Sequence, residues 1–510
     1  MPEVAIATTS PLAADAGARI AERGGNAVDA AIAAALVSVV TEPGVCSLGA
    51  GGFLTIWPSV GEPLTVDGYV EMPGRGLPRE RFGGGRRDIY LEYGGGVSMT
   101  VGHGSVATPG VVAAFGLASE RFGSLPWREL VEPAYESARD GFPLPQASYN
   151  YLIYAHDLVF GWNPQSRRAL HDESGRLREA GETIHIEGLA ESLWAIAERG
   201  PDELYRGRLA RLIAEDVTGN GGILTSEDLA AYRAVERPAL TVELDGWRVA
   251  TNPPPAVGGC TLAAMLLLMG GRPASGWTAA ELSHLVAVQR AVLAYRRRHL
   301  DVSENLPRDA HRLLDLAAGG SLERFAASPS TVHTSAVDSS GLACAVTVSA
   351  GYGSGVMPPG TGIWMNNCLG EVELNRRGYH ALEPGTRLPS NMAPTVARRG
   401  TGAVLAIGSP GADRITTAIL QVMLNFTRLG MSLEEAVSHP RVHVEAPDAG
   451  GRVAYEAGLS IEEGELPLRR YEEPSMFFGG VGAALWDPAR GFELAADPRR
   501  VGGTAVGGKP

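Results

Sequence analysis

Two short β-rich runs, residues 331–338 and 342–349, flank Ser339-Ser340-Gly341, and no other stretch constrains the chain as tightly. A three-residue loop ending in Gly suits a hairpin closed by a residue in the left-handed region, which pairs Asp338 with Leu342. Counting outward sets Thr331 opposite Ser349. Thr331 therefore heads a strand, directly after Ala327-Ser328-Pro329-Ser330, the kind of exposed stretch that tolerates cutting. A cut before Thr331 would free an α-amine beside its own side-chain hydroxyl. Such an amine has a reference pKa of roughly 7.7–8.0 and acts as a base near neutral pH, so one residue supplies nucleophile and base. On local pattern alone, a β-branched strand residue is the simpler account of Thr331.

Elsewhere the chain alternates between helical and strand signals. A strand over Val4–Thr8 precedes helical spacing from Pro11 to Arg23, which Gly24-Gly25 ends, and Asn26 can cap the apolar helix 27–40. A Gly-rich turn at 49–52 leads into a strand over 53–57. No Gly-x-Gly-x-x-Gly or Gly-Lys-Ser/Thr unit accompanies it, so close backbone packing explains it better than phosphate binding. Residues 74–104, rich in Gly and Arg, read as an irregular excursion. Helices are expected over 109–141 and 186–216, a capping box at Thr225-Ser226-Glu227-Asp228, strands over 239–251, a Pro/Gly turn at 253–259, and helices over 260–269 and 278–300. Residues 301–330 are only weakly periodic. β-rich runs then recur at 331–349, 362–367, 393–408, 453–456 and 481–486, with helices near 413–429 and 432–438. Strands on both sides of Thr331 with helices between them fit one layered α/β body.

Several function classes are excluded early. A net charge of −13 leaves no phosphate-tracking surface, so no nucleic-acid partner is expected. The most apolar stretch, Ala27 to Val40, is about 14 residues long and carries Asp29, too short to span a bilayer, so no membrane partner is expected either. The N-terminus lacks a basic region followed by an apolar core, which reads as cytoplasmic. Cys46, Cys260, Cys344 and Cys368 lie far apart without Cys-x-x-Cys spacing, arguing against a disulfide framework or a zinc site. A small buried thiol is the commoner role for Cys368 than a nucleophile. His439 and His443 are four apart, but Pro440 between them breaks a helical metal face, and no metal or cofactor is expected.

Thr331-Val332-His333 followed by Ser335 resembles the Thr-x-His-x-Ser segment at the autocleavage point of the γ-glutamyltransferase family, which are N-terminal-nucleophile (Ntn) hydrolases. Further stretches are similar in the same order. They are Gly24-Gly25-Asn26-Ala27-Val28-Asp29, Glu42-Pro43 with Gly49-Ala50-Gly51-Gly52-Phe53, Thr108-Pro109-Gly110, Gly200-Pro201-Asp202-Glu203-Leu204-Tyr205, Asn252-Pro253-Pro254-Pro255, Asn366-Asn367 and Gly408-Ser409-Pro410-Gly411. The resemblance implies a four-layer αββα sandwich of the Ntn-hydrolase type. It also implies a large segment, 1–330, and a small segment, 331–510, that stay interlocked as a heterodimer after self-cleavage, with further oligomerisation left open.

The resemblance assigns roles residue by residue. Thr331 is the nucleophile, first on the Ser330 carbonyl and then on a substrate amide; Ser349 corresponds to a hydroxyl that orients it. The backbone amides of Gly411 and Ala412 fall on the family's paired Gly donors to the oxyanion, and Ala serves because the donor is backbone. Ser390 and Asn391 fall on a Ser-Ser pair that contacts the substrate carboxylate. His333 is expected to be structural, since the terminal amine already supplies the base.

Departures cluster in the acyl pocket. Val70 stands where the family places a carboxylate-clamping Arg, with Arg75 the nearest replacement in sequence. Glu371 stands in for the acid that holds the substrate ammonium, and Gly351 replaces an Asn. Residues 372–389 are too few for the usual lid loop. The expected activity is cleavage of small-molecule γ-glutamyl amides such as glutathione through a Thr331 acyl-enzyme, resolved by water or by an amino-acid or peptide acceptor, with hydrolysis favoured. The alternatives are the same chemistry on a non-glutamyl amide, as in an acylase, and an unprocessed, non-catalytic binding homologue.

Overall fold

In the computed structural model, which describes residues 2–93, 96–270, 276–320, 332–445 and 451–508, two antiparallel sheets lie face to face between helical layers. The seven-stranded sheet runs Gly503–Gly507, Val4–Thr8, Val332–Asp338, Ala343–Ser349, Gly51–Trp57, Leu64–Gly68, Val235–Pro238. The six-stranded sheet runs Gly491–Ala496, Gly482–Asp487, Val404–Gly408, Thr395–Arg399, Trp247–Thr251, Leu240–Leu244. Both sheets draw strands from either side of position 331. This is the four-layer αββα sandwich expected from the sequence.

Strand period fixes which residues fill which layer. Along Ala343–Ser349, Cys344, Val346 and Val348 join the core under the helices Pro11–Glu22 and Ala27–Thr41, while Ala343 and Ala345 face the other sheet. Between the sheets the side chains are mostly small: Ala5, Val337, Ala343, Ala345, Ala250, Val396, Val404, Ala406 and Ala484. Leu405, Ile407 and Leu485 turn the opposite way, into the core beneath the helices Val257–Met269 and Arg414–Thr427. The helix Ala27–Thr41 is buried along its whole length, and its start is closed by the expected Asn26 cap in a full capping box with Asp29. The Thr225–Asp228 box is formed as well.

Three expectations are corrected. Residues 87–101 hold a two-stranded hairpin, Arg87–Leu91 with Val97–Val101, whose alternation the surrounding Gly and Arg obscured. Residues 306–318 form a helix with an Asn305 cap and Pro307 in its first turn, and only Ala310, Leu313 and Ala317 of it are fully buried, a stripe too thin to stand out in sequence. No strand spans 362–367, which are buried but make one isolated bridge, Gly49 to Met365.

The sheets approach closely enough that a Cβ on Gly408 would lie 2.3 Å from Cε1 of His333 on the opposing strand. The Gly408→Ala substitution is therefore expected to force the sheets apart or the imidazole off its rotamer. The expected cost is about 1–3 kcal/mol, read as a lowered denaturant midpoint at unchanged slope.

Candidate active site

The hairpin expected from sequence is present: the Asp338 amide donates to the Leu342 carbonyl (3.0 Å), and Gly341 adopts φ +84°. Asp338 locks it in place. Its Oδ1 accepts from the Ser340 amide (2.9 Å), the Ser340 hydroxyl (2.6 Å) and the Leu342 amide (3.2 Å), while its Oδ2 accepts from the Ala27 amide at the start of the buried helix (3.2 Å). The register follows the expected one as far as Val332 opposite Val348, one step short of Thr331, which lies outside the described residues. Ser349 is buried, and its Oγ accepts from the Gly351 amide (3.1 Å).

His333 is fully engaged. Its Nε2 lies 2.8 Å from Ser335 Oγ and its Nδ1 2.8 Å from Thr347 Oγ1. Ser335 donates its only proton to the Gly482 carbonyl (3.1 Å), so it accepts from Nε2–H, and Nδ1 accepts from Thr347. Burial pushes the His333 pKa down to about 3, leaving a neutral, sheet-bridging ring.

The Gly408–Arg414 turn links the strand Val404–Gly408 to the helix Arg414–Thr427. Gly411 (φ +123°) and Ala412 (φ +71°) both lie in the region that favours glycine. A Cβ on Gly411 would lie 2.7 Å from Gly479 Cα, so this position has no room for a side chain. Ala412, fully buried, carries the strain of its backbone. Ser409 Oγ accepts from the Gly480 amide (3.0 Å), pinning the turn to the 475–480 loop. Asp413 then pairs with Arg414 (2.8 Å) and with Nε2 of His443 (3.2 Å). Burial alone would raise the Asp413 pKa, but His443 and Arg414 outweigh it and hold the carboxyl below its usual range. Sequence reading missed this pair, which lies 30 residues apart, and considered His443 only as a metal ligand with His439. His439 instead bonds the Pro440 carbonyl (3.0 Å).

Ser390 and Asn391 are buried beneath the start of the helix Val257–Met269: the Ser390 carbonyl accepts from the amides of Val257 (2.9 Å) and Gly258 (3.0 Å). A Cβ on Gly258 would lie 2.0 Å from the Asn391 carbonyl oxygen, so glycine there sets how closely the helix seats. Asn366 donates to the carbonyls of Gly49 (2.8 Å) and Ala107 (2.9 Å), tying the Gly-rich turn to the site loop. Glu371 is buried, and one of its carboxyl oxygens has no hydrogen-bond partner among the described residues. Burial, with Glu373 nearby, raises its pKa well above the usual range. A Cβ on Gly351 would lie 2.3 Å from Asn367 Oδ1 and 3.0 Å from Glu371 Oε1, so the departure to Gly makes room for Glu371.

Val70 is fully buried among Phe53, Tyr69, Met72 and Leu388. Arg75 turns to Glu71 (3.6 Å), which also binds the buried Arg387 (2.5 Å), and the Arg75 guanidinium packs over Gly385. Cys368 is buried, and burial pushes its thiol well above the usual range, which disfavours a thiolate. A cavity of about 990 Å³ lies beside these elements, and Ser349, Glu371, Ser390, Asn391, Gly411 and Ala412 are not among the residues that line it. Tyr352 and Glu373 line it beside Arg414, and the corrected hairpin forms one wall through Asp88, Tyr93 and Val97. Arg75 is not among its lining residues.

Residues 13–507 match the gamma-glutamyltranspeptidase family. The chain is 30% identical to the glutathione hydrolase proenzyme of Escherichia coli K12, over 98% of this chain and 91% of that one. It is 29% identical to the acylase ACY 1 proenzyme of Pseudomonas sp. V22, over 98% and 93%. The fold is similar to the crystal structure of cephalosporin acylase from Bacillus halodurans, with a TM-score of 0.81 at 24% identity, covering 99% of this chain and 96% of that one.

His333 also sets a pH dependence. Its folded pKa is about 3, below the ordinary value of 6.5, so the stability it contributes is present above 6.5 and lost as pH falls from there toward 3. Between pH 6.5 and 5.5, unfolding titrations should show wild type losing about 1 kcal/mol more than His333→Gln. Equal losses in the two proteins would mean that the ring does not stay neutral in the fold.

Proposed function

The chain belongs to the gamma-glutamyltranspeptidase family and is an enzyme of the Ntn-hydrolase type, and from that premise we propose that Thr331 is the nucleophile of a self-processing amide hydrolase. One observation carries the proposal. Tyr352, three residues beyond Ser349, and Arg414, two beyond Ala412, line the same cavity, which supports a site shared by the hairpin end and the Gly411–Ala412 turn.

In maturation, the Thr331 hydroxyl attacks the Ser330 carbonyl and the peptide nitrogen leaves as the Thr331 α-amine. Water then hydrolyses the resulting ester. The products are segments 1–330 and 331–510, held together because both sheets contain strands from each. In turnover the α-amine takes the hydroxyl proton, the hydroxyl attacks the substrate amide, and the proton passes to the leaving amine. The amides of Gly411 and Ala412 stabilise the oxyanion, a contribution of about 2.7–4 kcal/mol per donor in comparable sites. Ser349 orients the nucleophile, and Ser390, Asn391 and Glu371 contact the acyl group.

The relatives' names support γ-glutamyl amides such as glutathione as the substrate class. A second reading, a non-glutamyl acyl group, is favoured by the buried Val70 and by the engagement of Arg75 with Glu71, which leave the expected carboxylate clamp unfilled. Hydrolysis is expected to outrun transfer, because residues 372–389, which line the cavity from Val372 to Tyr379 and are tied down where Tyr379 donates to the Gly104 carbonyl (2.8 Å), are too few to fold over it as a lid.

On denaturing gels, wild type should resolve into fragments starting at Met1 and Thr331, while Thr331→Ala stays at full length and loses amidase activity. Persistence of one wild-type band on long incubation would contradict the proposal. With γ-glutamyl- and glutaryl-anilides side by side, turnover of only the latter selects the second reading. With the better donor, glycylglycine at millimolar concentration should divert less than half of the acyl flux. Majority transfer to the dipeptide would mean that the cavity shields the intermediate.

A further inference from the structure

Ala412 holds a left-handed backbone without glycine, and such a conformation persists only where the surroundings over-determine it. The two residues that follow show what does so. Asp413 is buried and anchored through His443 on the strand Val442–Glu445, and the other ring nitrogen of His443 meets Thr417 Oγ1 (3.0 Å) in the first turns of the helix Arg414–Thr427. The imidazole thus bridges the residue after the turn to the helix that the turn enters. Arg414 donates from Nε to the Phe477 carbonyl (3.0 Å) and lies over the Phe477 ring (4.8 Å), fixing the same turn from the other side.

We propose that His443, through Asp413, is a positioning residue that aims the backbone amides of Gly411 and Ala412 at the oxyanion. The inference rests on the assignment of those amides as oxyanion donors. His443 touches neither substrate nor nucleophile; it fixes the Asp413 carboxylate, and the carboxylate fixes the strained peptide before it. A misplacement of about 1 Å in such a donor costs on the order of 100-fold in rate. Arg414 also counters the Asp413 charge, which would otherwise stand beside a developing negative oxygen and oppose it.

The test is steady-state kinetics of the full-length-expressed, self-processed enzyme on whichever anilide wild type turns over. His443→Leu should lower kcat by about 100-fold while KM changes less than about threefold, and should slow self-cleavage in parallel. His443→Gln, whose amide can still donate to Asp413, should recover most of the loss. Asp413→Asn should also lower kcat, and adding it to His443→Leu should cost little more than His443→Leu alone. A kcat within threefold of wild type in His443→Leu, a loss confined to KM, no advantage of Gln over Leu, or additive losses in the double variant would each overturn the inference. If His443→Leu does not fold, Asp413→Asn carries the same kcat-against-KM test. An active Thr331→Ala would overturn the underlying site assignment instead. A dead Thr331→Ala beside an indifferent His443→Leu would overturn this inference alone.

Discussion

The close contact of two antiparallel sheets is the constraint on which the rest of the molecule depends. Alanine dominates the layer between them, and His333 occupies the space that Gly408 leaves empty. A buried imidazole with an unmet nitrogen would cost several kcal/mol, so Thr347 and Ser335 must stand on either side of it. That requirement fixes the strands Val332–Asp338 and Ala343–Ser349 in register with one another and against the second sheet. The hairpin is thereby positioned twice, once by its own loop and once by a hydrogen-bonded ring between layers.

From that frame the site follows as a meeting of strand ends. The strand Ala343–Ser349 delivers Ser349, the opposing strand Val404–Gly408 runs out into Gly411 and Ala412, and the helix Val257–Met269 seats its first turn on Ser390 and Asn391. Strain at Ala412 is stored where the turn is tied down on both flanks, by Ser409 to Gly480 and by Asp413 to His443. The proposed acyl side is less constrained: Glu371 sits buried against Gly351, and one of its oxygens has no hydrogen-bond partner among the described residues.

Features governed by near neighbours could be read from the chain. The Asn26 cap, the Thr225 capping box and the three-residue hairpin loop all depend on residues within a few positions of each other, and all are present. What escaped depends on distance or on dilution. The helix Leu306–Ala318 buries one face of an otherwise charged segment, and the hairpin at 87–101 is flanked by Gly and Arg that mask its alternation. Asp413 and His443 meet only because a helix and a strand return to the same place, which no spacing rule detects. Arg75 lies five residues from Val70, yet sequence could not show that Glu71 would hold it elsewhere.

The strand Val4–Thr8 is paired on one side with Gly503–Gly507 and on the other with Val332–Asp338. Such a sheet has high contact order: its central hairpin closes locally, but that hairpin meets Val4–Thr8 and Gly51–Trp57 only by closing loops of several hundred residues. During synthesis, the strand Val4–Thr8 waits unpaired until residue 338 and then residue 507 have left the ribosome. Any chemistry that needs the assembled sheet is thereby delayed until the strand Gly503–Gly507 has been made.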